Sequence, residues 1–167
     1  MASDDKSVEI AAVRLLARRE HGTQELKRKL AAKGHDPDAI ERVVEKLGAK
    51  RLVSDERFVA VFVHHHAKRG QGPVRIRAEL RQQGIPDDSI DRAFLNAGLE
   101  WDQLAAQARR RKFTGSPPKT LAERAKQSRF LQYRGFTADQ IRTAVAGKDG
   151  DQASSDQTDS LDSDWSD

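Results

Sequence analysis

Apolar residues recur along this chain at helical spacing, and one arrangement of them is written three times. Val8, Ala12, Leu15 and Leu16 stand at i, i+4, i+7 and i+8, one stripe of a helix with 3.6 residues per turn. Leu26 and Leu30 mark a second helix, and Ile40, Val43, Val44 and Leu47 a third. The series resumes with Phe58, Val61 and Phe62, then Val74, Ile76 and Leu80, then Ile90, Ala93 and Phe94. A last set holds Trp101, Leu104, Ala105 and Ala108, then Phe130 and Leu131, then Ile141 and Val145. Nowhere is the period-two alternation of a strand sustained.

The repeated unit is explicit in ELKRKLAAKGHDPDAIERVV (25–44), RIRAELRQQGIPDDSIDRAF (75–94) and KQSRFLQYRGFTADQIRTAV (126–145), offset by 50 and then 51 residues. In each, a leucine (Leu30, Leu80, Leu131) precedes a glycine (Gly34, Gly84, Gly135) by four positions. A helix starter follows (Asp36, Pro86, Thr137), then an aspartate (Asp38, Asp88, Asp139) and an isoleucine (Ile40, Ile90, Ile141). A period of this length is one structural unit used three times, and such an array offers a long surface to a long partner.

Punctuation between the stripes supports the same division. Gly22 ends the first helix and Thr23 is read as the cap of the second. Asp36 caps the third, with Pro37 at the first helical position, where a missing N–H costs nothing. Ser54 caps the next, with Asp55 and Glu56 suiting the helix dipole. RGQGP (69–73) interrupts the chain as a hinge between helices, and GSPP (115–118) breaks it again. The expected fold is all-α: three tandem three-helix modules over 8–52, 53–98 and 99–147, between a flexible N-terminus (1–7) and a disordered acidic tail (148–167).

Composition narrows the picture. Aromatic residues are 5% and charged residues 34% of the chain, so its apolar interior must be divided among small bundles. Without cysteine there is no disulfide, zinc-thiolate site or thiol nucleophile. The apolar runs are far too short for a membrane span, and MASDDKSVEI lacks the features of a signal peptide, so a cytoplasmic protein without membrane contact is expected. The net charge of +4 hides an asymmetry: residues 149–167 hold seven aspartates and no lysine or arginine, leaving 30 positive against 19 negative charges before them. So cationic a body favours a polyanionic partner through counterion release. The tail reads either as a solubilising segment or as a phosphate mimic that occupies the basic face until a polyanion displaces it.

Two basic clusters are candidates for that contact. Lys68, Arg69, Arg75, Arg77 and Arg81 lie in and beside one helix, where Arg77 and Arg81 share a face and Arg75 is placed to pair with Glu79. Arg109, Arg110, Arg111 and Lys112 close another helix, a position the dipole favours by itself. His64, His65 and His66 fan out by about 100° each on a helix and cannot converge on one ion, so no metal is expected. The repeated aspartates sit in first turns of separate units. With no phosphate loop and no nucleophile beside a base, neither an enzyme nor a cofactor is expected.

At LLARREHGTQELKRKLAAKG (15–34), SDERFVAVFVHHHAKRGQGPVRIRAELRQQGI (54–85) and RFLQYRGFTADQI (129–141) the chain resembles the RecX family of bacterial recombination regulators. The central stretch is the most specific, combining Asp55, Arg57 and Phe58 with the Arg69-Gly70-x-Gly72-Pro73 turn, Ile76, Glu79, Leu80 and Gly84. The resemblance implies an elongated, curved array that binds the RecA recombinase, chiefly as a filament on single-stranded DNA. It implies inhibition of RecA ATPase, strand-exchange and co-protease activities, and so modulation of recombination, DNA repair and the SOS response. Single-stranded DNA is an implied partner and duplex DNA a further candidate; the free protein is expected to be a monomer. Within that framework the contact face is assigned to Arg69, Arg75, Arg77 and Arg81, supported electrostatically by Lys68, Arg109, Arg110, Arg111 and Lys112. The alternative is a helix-turn-helix-like DNA-binding protein that acts without RecA, although the third helix of each unit lacks dense base-reading side chains.

Overall fold

The computed structural model describes residues 2–114 and 116–147. Among them are nine α-helices and no strand: α1 (Ala2–Leu16), α2 (Thr23–Ala32), α3 (Pro37–Ala49), α4 (Asp55–Lys68), α5 (Pro73–Gln82), α6 (Asp87–Asn96), α7 (Trp101–Phe113), α8 (Leu121–Arg134) and α9 (Ala138–Val145). The acidic tail lies outside the described residues.

Each repeated position has a physical task. Leu30, Leu80, Leu131 and Ile90 are fully buried, and Ile40 nearly so. Gly34, Gly84 and Gly135 have φ of +83°, +79° and +90°, the left-handed conformation that ends α2, α5 and α8 and that residues with a Cβ adopt only at a cost. Asp36 and Thr137 then cap α3 and α9 by accepting the N–H of Ala39 and Gln140. Thr137 belongs to a full capping box, and so does Thr120 at the start of α8.

By compactness the chain divides inside α4, between Val61 and Phe62. In residues 2–61, Val8 and Ala12 of α1 pack with Leu26 and Leu30 of α2 and with Ile40, Val43, Val44 and Leu47 of α3. Two expectations change here. Residues 2–7 are the opening turns of α1, whose register Asp5 and Glu9 fix through ion pairs to Arg42 and Lys46 of α3 at 2.7 and 2.9 Å. And Gly22, not Thr23, is the N-cap of α2; the N–H of Thr23 donates to Asp55 Oδ1 at 2.6 Å, so a carboxylate from α4 caps α2 from a distance in sequence.

Residues 62–147 form the other unit. Ala105, Ala108, Leu131, Phe136, Ala144 and Val145 make a core among α7, α8 and α9. The stretch read as a hinge is instead a close backbone contact. Gly72 N–H donates to Arg134 O at 2.8 Å and Val74 N–H to Gly135 O at 2.9 Å. A Cβ on Gly72 would overlap Gly135 C and O and Phe136 N, and one on Gly135 would overlap Arg75 Cβ and lie 2.6 Å from Arg75 N. The start of α5 and the α8–α9 turn are thus locked together without side chains between them. Phe94 of α6 also stacks on Trp101 of α7, with ring centroids 5.5 Å apart.

Candidate functional site

The two basic clusters meet in three dimensions, though not as a single row. The C-terminal ends of α4, α7 and α8 surround a hollow of about 170 Å³ lined by Arg69, Gly70, Ala108, Arg111, Lys112, Phe130 and Arg134. Arg111 donates to Lys68 O at 3.1 Å, fastening the end of α7 to the end of α4. Arg134, whose guanidinium lies 5.3 Å from the Phe130 ring centroid, completes the group. Three helix C-termini carry roughly −1.5 elementary charges in sum. Four cations therefore exceed what the helix ends alone would attract, and Lys68 and Arg110 are exposed beside them.

Arg109 departs from the rest of its run. It is 1% exposed, because it continues the buried side of α7 set by Ala105 and Ala108. Its guanidinium belongs to the interior of the unit, which takes Arg109 out of the candidate contact face.

Along α5 the arginines are already matched with acids. Arg75 Nε donates to Glu79 Oε1 at 2.9 Å, the i, i+4 pair expected from spacing. Arg77 pairs with Asp91 of α6 and lies over the Phe94 ring, 4.3 Å from its centroid. Arg81 pairs with Asp87 at 2.6 Å. The Arg77–Asp91 pair repeats one in the first unit, where Lys27 meets Glu41 at 2.6 Å between α2 and α3. In the third repeat the corresponding residues are Ser128 and Arg142, which line a groove of about 450 Å³ between α8 and α9.

Exposed pairs of this kind are worth up to about 1 kcal/mol each. If this face meets phosphates as expected from its charge, the aspartates compete with them for the arginines. Asp87→Asn with Asp91→Asn is expected to tighten binding to single-stranded DNA about threefold to tenfold at fixed salt. Titration of a labelled oligonucleotide reads this directly, and unchanged affinity would remove Arg77 and Arg81 from the contact face.

The triple histidine divides by exposure. His64 faces solvent, His65 is half-buried, and His66 is buried against Phe62 with Nδ1 2.9 Å from Gln71 Oε1. Burial pushes the His66 imidazole down to about 4, helped by His65 and Arg69 and opposed by Glu79 and the Gln71 hydrogen bond. Unfolding restores an ordinary value near 6.5, so between those values the unfolded chain binds the extra proton. Stability is expected to fall as pH drops from 6.5 towards 4, by at most about 1.4 kcal/mol per pH unit for one group. Urea unfolding across that window should show a shallower slope for His66→Gln; an identical slope would mean that His66 is not the group responsible.

A buried polar cluster with no local sequence signal lies in the first unit. In the first unit Arg19 grips Glu25 with two hydrogen bonds of 2.6 and 3.1 Å, and Lys29 approaches to 3.4 Å. Burial raises the Glu25 carboxyl, but the Arg19 hydrogen bonds and charge, with His21 and Lys29, outweigh this and hold it below its usual value. His21, 1% exposed, is depressed first by burial and then by Arg19. The cluster sits at the entry to α2 and fixes the turn that presents Gly22 to the Phe58 ring.

No described helix is long and apolar enough to cross a membrane, and no group of three His, Asp or Glu side chains among the described residues is placed to hold a metal. The fold and this surface define an all-helical protein of tandem three-helix domains with a cationic face. Family models for RecX match in order: the first three-helix domain over residues 11–47, the second over 54–93 and the third over 99–145. The regulatory protein RecX of Halorhodospira halophila is 47% identical over 146 residues, covering 87% of this chain and 91% of that protein. That of Pseudomonas fluorescens is 44% identical over 145 residues, covering 87% and 94%. The crystal structure of RecX from Lactobacillus salivarius shares the fold, with a TM-score of 0.68 at 21% identity, over 87% of this chain and 97% of that one. The chain belongs to the RecX family of regulatory proteins.

Proposed function

We propose that the protein binds RecA and RecA filaments on single-stranded DNA, and inhibits their ATPase, strand-exchange and co-protease activities. It would thereby modulate recombination, DNA repair and the SOS response. Family membership supports this reading, and the observation that carries it to particular residues is the hollow lined by Arg69, Arg111, Lys112 and Arg134. A helical filament on DNA is a repeating track that carries phosphates. Similar modules in tandem engage neighbouring positions of such a track at once, so modest gains per module sum to tight binding.

The helix-turn-helix alternative fares worse. It needs the third helix of a unit to enter a major groove, yet α6 presents Asp87, Asp88 and Asp91 to solvent, and like charge opposes that approach. On α3, Arg42 and Lys46 are committed to Asp5 and Glu9. No cofactor enters this mechanism: binding restrains the filament, and the chemistry stays with RecA.

The test is DNA-dependent ATP hydrolysis by preformed RecA filaments, titrated with this protein well below the RecA concentration. Inhibition at such ratios is expected. Full hydrolysis, alongside demonstrable binding to DNA, would favour action without RecA.

A further inference from the structure

We propose that Tyr133 is a stacking platform for an unpaired nucleic-acid base. This deepens the reading that the cationic face meets a DNA strand, and it rests on that reading. Tyr133 is 77% exposed in the last turn of α8, so its ring adds little to the core. An exposed aromatic ring beside a cation offers a flat face on which a base can stack.

The surroundings specify which ligand. The Arg75 guanidinium lies 5.8 Å from the Tyr133 ring centroid, and its Nε bond to Glu79 fixes its orientation. The adjoining Arg134 lines the hollow with Arg69, Arg111 and Lys112. Tyr133 thus lies beside Arg75 and immediately precedes Arg134 on α8. An apolar protein partner would want aliphatic surface against the ring, whereas the group that lies over it here is the Arg75 guanidinium. A nucleotide pairs a π-face with a phosphate, and this surface offers a complement to both.

The platform is also rigid. The carbonyls of Arg134 and Gly135, immediately after Tyr133, accept the N–H groups of Gly72 and Val74, and the backbones meet with no room for a Cβ. The backbone beneath the ring therefore needs no ordering when a base arrives, and only the two side-chain torsions of Tyr133 are restricted on contact. One ring reads no sequence, because every base has a π-face, and the expected ligand is a single strand of any composition.

The experiment compares full-length protein with Tyr133→Ala and Tyr133→Phe. Binding is measured by fluorescence anisotropy on an oligothymidylate and on an abasic strand of equal length at one salt concentration. Tyr133→Ala is expected to weaken binding to oligothymidylate about tenfold while leaving the abasic strand and the thermal midpoint unchanged; Tyr133→Phe is expected to bind as the native protein does. Equal affinity of Tyr133→Ala for oligothymidylate, or an equal loss on the abasic strand, would overturn the stacking role while leaving the cationic face in place. Native protein that binds neither strand would overturn both.

Discussion

Replacing Gly72 by alanine is expected to lower the free energy of unfolding by about 3–5 kcal/mol, from overpacking and two lost hydrogen bonds, whereas Gly34→Ala should cost only about 1–2 kcal/mol. Both are single added methyl groups, so the difference isolates the backbone contact. At Gly34 the φ of +83° disfavours a Cβ, yet no heavy atom stands within 4 Å. Gly72 has an ordinary φ of −87°, which alanine tolerates, but its Cβ would occupy the space of the Gly135 carbonyl. Backbone atoms cannot change rotamer, so α5 must separate from the α8–α9 turn, with loss of the hydrogen bonds from Gly72 and Val74. Urea unfolding of both variants measures the difference. Equal, small costs would mean that the two segments are not locked together.

Reversing charge at three positions of the hollow, Arg69→Glu, Arg111→Glu and Arg134→Glu, is expected to weaken binding to single-stranded DNA roughly a hundredfold. The slope of log affinity against log salt should fall by about 2, since each lost phosphate contact on a single strand removes about 0.7. Inhibition of RecA should fall in parallel. Arg69 and Arg111 are exposed and Arg134 is half-buried with its guanidinium near the Phe130 ring, so helicity should survive, which circular dichroism checks. A variant that keeps its helix content and its native salt slope would show that phosphates bind elsewhere.

Much of the fold was legible because its signals are local. A leucine four residues before a left-handed glycine, followed by a cap and an isoleucine, specifies a helix end, a turn and a new buried stripe within about a dozen positions. Asp36, Thr137 and the Arg75–Glu79 pair follow from such spacing. Gly72 and Gly135 are far apart in sequence, and nothing near either one reveals that they touch. Asp55, the distant cap of α2, likewise has no local signal that ties it to Thr23.

The site was legible as charge but not as partnership. Arg109 looked equivalent to Arg110, Arg111 and Lys112, although its position one residue after Ala108 and four after Ala105 already put it on the buried stripe. Arg77–Asp91 was readable from the repeat, since both residues stand 50 positions beyond Lys27 and Glu41. Arg134 carries no local signal that separates it from other cations in last turns, and only the three-dimensional packing brings it to Arg69 and Arg111.

Regulation of a RecA filament makes a demand that binding to DNA alone does not. The decisive comparison is the affinity of fluorescently labelled full-length protein for preformed RecA filaments on single-stranded DNA, set against the same DNA without RecA in the same buffer. Binding that is clearly tighter on the filament, and that the three charge reversals weaken, is the predicted result. Equal or weaker binding to the filament than to the bare strand would contradict the account.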